Sequence, residues 1–186
     1  MTNIINYKGT YPLCANLLLG KGVIAKFFTA PNFEEEGEEF DRDDYPIMKE
    51  LGTSWECGHL LGKQFGGLAE AKNFVPMHHD ANQKFLHEVE SKVRFILERW
   101  DCINSYLKQE LNFDTCACVY QVNVDLNSIK KIKVVELPTM IHASLNIVDH
   151  NNNDLDDSVY EKVNSLSYIA REGIHLPLGT NIPIDR

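Results

Sequence analysis

The sequence predicts an α+β domain in which an antiparallel sheet packs against one long helix. Three patterns carry that reading. Apolar residues recur at steps of three and four from Asn82 to Leu111, apolar and polar residues alternate over 115–125, and two short strand-like pieces flank a glycine-rich turn between Thr53 and Met77. A chain of 186 residues favours a single domain, 1–186, and can bury a sizeable core without disulfides.

Taken in order, residues 10–30 are apolar with two glycines and read as strands or a short helix against the core; their period does not decide between them. Residues 34–44 (EEEGEEFDRDD) are a dense acidic run, read as a solvated loop or as a nucleic-acid mimic or partner-binding patch. Thr53–His59 forms the first strand-like piece, Gly62–Gly67 the turn hinged at Gly66-Gly67, and Asn73–Met77 the second piece, which Pro76 keeps from continuing as a central strand. The long helix follows, with Asp80 as its expected N-cap and Phe85, Leu86, Val89, Val93, Ile96, Leu97, Trp100, Ile103 and Leu107 on its apolar stripe. Strands are expected over 115–125, 129–136 and 140–149, and a turn over 151–157. A helix is expected over 159–171, and an extended Pro/Gly-rich tail ends the C-terminal extension 150–186.

The formal net charge of −9 is awkward for a protein that binds polyanions. The charge is unevenly spread: residues 1–54 carry nine acids and five bases, 55–135 ten of each, and 136–186 eight and three. The neutral middle is where the chemistry-bearing residues fall. The five cysteines have no framework spacing and no CxxC pair, so neither a disulfide scaffold nor a zinc knuckle is expected. The N-terminus lacks a basic-then-apolar leader and no apolar stretch approaches membrane length. The expectation is therefore a protein without signal peptide or membrane partner, cytoplasmic or delivered by a specialised secretion system.

Within 53–100, a histidine ending a short strand, His59, can face a shallow cleft and take a proton from water near neutral pH. Asn82, at the start of the following helix, offers a neutral oxygen to a hard cation, and magnesium needs only one or two protein ligands. Glu90, eight residues on, lies about two turns further along on a neighbouring face and could act on the ion through water. Such parts suffice for phosphodiester hydrolysis. Against this stand plainer readings: a buried structural histidine, an ordinary first-turn asparagine, a solvent-facing helix glutamate. His78, His79 and Asp80 have no third ligand at diagnostic spacing, and His87 does not share the face of Asn82.

The stretch GHLLGKQFGGLAEAKNFVP followed by HHDAN resembles the active-site signature of the DNA/RNA non-specific endonuclease family. There a G-H-L-[IL] step leads through a G-G turn to N-[LF]-V-P and to an asparagine six positions past the proline, the separation of Pro76 and Asn82. The resemblance covers 56–90 in detail and runs loosely to Asp149. It implies a ββα-metal (His-Me finger) core and a magnesium or manganese cofactor, with DNA, RNA or both as substrate. It implies His59 as general base, Asn82 as metal ligand, Glu90 as its support and Asn73 as a brace of the loop or of His59. Compact nucleases of this kind often serve as bacterial toxin domains neutralised by an immunity protein. The family commonly reads D-R-G-H where this chain reads Glu56-Cys57-Gly58-His59. Lys63, Lys72, Lys84 or Arg42 are the candidates to replace that phosphate-holding arginine. The competing expectation is a catalytically inactive interaction protein on the nuclease scaffold.

Overall fold

The computed structural model describes residues 1–14, 17–34, 38–133 and 135–185. In chain order its strands are β1 (Ile4–Tyr7), β2 (Thr10–Cys14), β3 (Leu17–Gly20), β4 (Gly22–Phe27), β5 (Trp55–His59), β6 (Phe74–His78), β7 (Ala117–Val124), β8 (Ile129–Ile132), β9 (Val135–Pro138), β10 (Met140–Val148) and β11 (Leu178–Pro183). Its α-helices are α1 (Ile47–Leu51), α2 (His79–Phe85), α3 (Ser91–Glu98), α4 (Trp100–Glu110), α5 (Asp157–Asn164) and α6 (Ser167–Arg171). Five strands form the main sheet in the order β1-β4-β7-β10-β11, antiparallel throughout. The alternation that predicted β7 now has its cause: Cys118, Tyr120, Val122 and Val124 face the core, and the residues between them are half-buried.

β5 and β6 pair as a separate antiparallel hairpin, with His59 opposite Phe74 and Trp55 opposite His78. The hairpin is therefore separate from the five-stranded sheet in its strand pairing. The C-terminal strand ties the two together, because Ile184 accepts a hydrogen bond from the His78 amide and donates to Thr139. The stretch 129–136 is likewise two strands, β8 and β9, turned back on each other. The single helix expected over 159–171 is the pair α5 and α6. At the N-terminus β1 joins the main sheet, an element the sequence did not announce.

The long helix is the largest departure. Its cap is His78, whose Nδ1 accepts from the Asp80 amide, with Asp80 itself inside the first turn. Leu86–Glu90 forms a π turn, closed by the Ser91 amide on the Leu86 carbonyl. At Arg99 the backbone leaves helical geometry (φ −108°, ψ 8°), so α3 and α4 are separate rods. The break lets Trp100 sit fully buried with its indole N–H on the Phe28 carbonyl, 3.0 Å away. Most of the apolar stripe is core as the period required, since Phe85, Val89, Val93, Ile96, Leu97, Trp100, Ile103 and Leu107 are all buried; Leu86, expected on the same stripe, is instead exposed at the start of the π turn, where the wider coil shifts the face it takes.

Of the acidic run 34–44, residues 35–37 lie outside the described residues. Beyond them, Phe40 and Tyr45 fasten the chain to the hairpin: Tyr45 stacks on Phe74 with ring centroids 4.0 Å apart, and Phe40 meets both edge-on. The second half of the run is thus folded against β5 and β6.

Candidate active site

β5, the loop after it, α2, the π turn and α3 surround a cleft of about 720 Å³. His59, Asn82 and Glu90 all line it, together with Glu56, Lys63, Gln64 and Arg94. The sequence spacing alone left Glu90 on a neighbouring face from Asn82. In an unbroken α-helix eight residues overrun whole turns by about 80°. The π turn takes up roughly one extra residue and removes most of that rotation.

His59 ends β5 half-buried. Its Nε2 lies 3.1 Å from the Glu38 carbonyl, and the ring of Phe40 covers it at 4.4 Å between centroids. A carbonyl only accepts, so Nε2 carries the hydrogen and Nδ1 keeps the lone pair. Burial pushes the imidazole below its usual pKa, against the opposing pull of the Glu38 carbonyl and the Glu39 carboxylate. Burial thus favours the neutral ring, with its lone pair left on Nδ1.

Asn82 sits on the first turns of α2. Its Nδ2 donates to Glu56 Oε2 at 2.6 Å, while Glu56 Oε1 receives His79 Nδ1, also at 2.6 Å. Partial burial acts to raise the Glu56 carboxyl, but the hydrogen bonds from His79 and Asn82 outweigh it and hold the group below its usual value. An ionised carboxylate accepts only, so the atom facing it is nitrogen, and Oδ1 is the donor atom Asn82 has left for a ligand.

Glu90 is 3% exposed, not the solvent-facing charge of the plainer reading. Burial pushes its carboxyl up to about 7, opposed by hydrogen bonds from Gln64 Nε2, at 3.1 Å, and from the Gly62 amide. A Cβ at Gly62 would lie 2.5 Å from Glu90 Oε1, so any larger residue there has to displace the carboxyl. Gly66, the corner of the same loop, has φ +85°, open to glycine at no steric cost.

Asn73 is fully buried and does not reach the cleft. Its Oδ1 accepts from the Leu61 amide at 2.8 Å, and its Nδ2 donates to the carbonyls of Leu61 and Leu68, each at 3.0 Å. Of the two braces the sequence allowed, this geometry is that of a loop brace; it touches His59 only through the chain, where the Asn73 carbonyl receives the Leu60 amide.

Among the cations, Lys63 lines the cleft, paired with Glu39 at 2.5 Å. Lys72 and Lys84 are not among the lining residues: Lys72 pairs with Glu70 over the Tyr7 ring, and Lys84 turns toward Glu88. Arg42 borders the cleft, but its guanidinium is committed to the carbonyls of Met48, Gly52 and Trp55. Arg94 was missed by the sequence reading. It lies over the Phe33 ring and reaches Gln64 Oε1 at 3.3 Å, the residue that also holds Glu90. The available signal was its place four residues past Glu90, on the same helix face. Cys57, standing where the signature has arginine, is a thiol pushed up to about 11 by burial, so it brings no charge.

With this geometry in hand, comparisons with known proteins bear on it. No curated protein matches the chain. Two solved structures align over 99% of it: an "extracellular nuclease" (17% identity, 84% of that chain covered, TM-score 0.42) and an "extracellular endonuclease" (16% identity, 78% covered, TM-score 0.45). Residues 38–102 match the family described as DNA/RNA non-specific endonuclease. The matching segment holds the β5–β6 hairpin, the loop between its strands and the helical run bearing Asn82, Glu90 and Arg94, so the likeness to that family falls on the residues that line the cleft.

Proposed function

We propose that this cleft hydrolyses phosphodiester bonds of DNA, RNA or both, with His59 as general base and one magnesium- or manganese-type ion held by Asn82. The observation that carries the reading is the shared cleft: the imidazole of His59, Asn82 and Glu90 all line it. The donor set fits a hard, hydrated cation, because Asn82 has only its amide oxygen left to offer and Glu90 is a carboxyl within the same cleft, able to act through water. When bound there, the ion would supply positive charge against the charge that grows on the phosphate and its leaving oxygen.

The chain's own groups do the rest. His59 Nδ1 takes the proton of an attacking water, while the Glu38 carbonyl and the Phe40 ring keep the imidazole from turning. Lys63 and Arg94 border the cleft and supply positive charge to the phosphate in place of the signature arginine. The motif supports a further reading as an antibacterial toxin domain with a cognate immunity protein; growth arrest on cytosolic expression, relieved by His59→Ala, checks it.

The decisive assay is plasmid and RNA digestion with magnesium, manganese or chelator. Wild type should cut with either ion and not with chelator, and His59→Ala should lose about 10²–10⁴ in rate. Cys57 in place of arginine favours a second reading, an inactive scaffold that only binds partners. Purified protein that neither cuts nucleic acid nor binds either ion would establish it.

A further inference from the structure

The carboxylate of Glu56 has no assigned part in the reaction above, yet it accepts a hydrogen bond from the Asn82 side chain. It reaches from β5, where it lies opposite Met77, to the first turns of α2. Its two oxygens are divided: Oε1 meets His79 Nδ1 and Oε2 meets Asn82 Nδ2, each at 2.6 Å. His79 and Asn82 are three residues apart and so neighbours on the helix surface. His79 is itself tethered, its amide donating to the Ser54 carbonyl at 2.8 Å. The carboxylate is thus held at one oxygen by His79 while the other meets the asparagine.

The two ends of an asparagine side chain are nearly the same size, and what it is bonded to decides which end faces where. With Glu56 in place, turning the Asn82 amide over would set oxygen against carboxylate oxygen at 2.6 Å. Without Glu56, both orientations are open, and one of them presents NH₂, which cannot ligate a cation, to the cleft.

We propose that Glu56, steadied by His79, is a positioning residue that fixes the Asn82 amide with its oxygen toward the ion. The proposal rests on the reading of Asn82 as the metal ligand. It assigns Glu56 an orienting hydrogen bond, not an electrostatic pull on the ion, and those two roles separate experimentally. In Glu56→Gln the carboxamide oxygen can still accept from Asn82 Nδ2, and its NH₂ can donate to neutral His79 Nδ1. The geometry survives and the charge is gone. In Glu56→Ala both are gone.

The test is Mn²⁺ affinity by calorimetry on the full chain, with thermal melting as the folding control, for wild type, Glu56→Ala, Glu56→Gln and Asn82→Ala. Glu56→Ala should weaken Mn²⁺ binding about tenfold or more, the usual effect of removing a group that holds a ligand in place. Glu56→Gln should stay within about threefold of wild type while Asn82→Ala loses the site. Wild-type affinity in Glu56→Ala would overturn the proposal, as would Glu56→Gln falling as far as Glu56→Ala. If Asn82→Ala binds Mn²⁺ normally, the metal reading itself fails. The side-chain amide resonance of Asn82, recorded without any ion, then tests Glu56 alone: it should move and broaden in Glu56→Ala and hold in Glu56→Gln. A resonance unchanged by Glu56→Ala would overturn the orienting role directly.

Discussion

Replacing Asn73 by alanine removes three hydrogen bonds at one stroke. The Leu61 amide and the Leu61 and Leu68 carbonyls all lose their partner, and the side chain that served them is fully buried. A buried backbone group left unpaired costs about 1–3 kcal/mol, and water entering the vacated space recovers part of that. Taking the lower bound for each of the three groups gives a loss of about 3 kcal/mol, a large share of a domain's stability. Urea unfolding at unchanged slope should show it as a lower midpoint. Asn73→Asp keeps the acceptor for Leu61 but sets oxygen against two carbonyls, so it should be no milder than alanine. A loss under about 1 kcal/mol for alanine, or a near-neutral aspartate, would refute the idea that this one amide holds the loop from Leu61 to Leu68.

Gly62→Ala should displace Glu90, because its Cβ would sit 2.5 Å from a buried carboxyl oxygen; nuclease rate should fall at least tenfold, and a near-wild-type rate would refute the close approach. The acid limb of kcat/KM should lie below the ordinary histidine value of about 6.5, since burial lowers the His59 pKa and the neutral ring is the base; activity is then lost as pH falls through that lowered value, and an acid limb above 6.5 would contradict it. Glu90 is raised, so its sign is opposite: the free protein is penalised as pH rises from about 4.5 through about 7. In chelator, Glu90→Gln should therefore be more stable than wild type above pH 7, by roughly 2–3 kcal/mol, with the gap closing below pH 4.5; chemical denaturation across pH measures it, and a variant less stable at pH 8 would refute the buried-acid account.

What the sequence displayed and what it hid divide along physical lines. The segment 56–90 was legible because it carries a signature of residue types at fixed spacing, and His59, Asn82 and Glu90 do share one cleft. The core stripe of the helical run was legible because burial imposes a period. The break at Arg99 and the π turn were not, because neither changes which residues are apolar; a period of threes and fours tolerates both. The lysines were misjudged for a related reason. Lys72 and Lys84 lie close to the signature in sequence, but a charge is placed by the face its side chain takes, and both faces turn away from the cleft. Arg94 shows the converse: outside the signature proper, it arrives through its helical offset from Glu90. Glu56 stands where the signature has aspartate, and its two partners, His79 and Asn82, come to it only in the folded chain.

The wide turn at Leu86–Glu90 holds one residue more than an ordinary helix needs between the same flanks. Relaxing it to an α-helix at unchanged length would twist everything upstream by about 100° relative to everything downstream. Either Asn82 would leave the cleft, or Val93, Ile96 and Trp100 would be levered from the interior. Removing one amino acid lets the coil close with both flanks in phase, because Asn82 and the glutamate would then stand seven apart, within about 20° of two whole turns. A single-codon deletion at exposed Glu88 should therefore leave the two side chains on one face, where a single-codon insertion beside it should turn them apart.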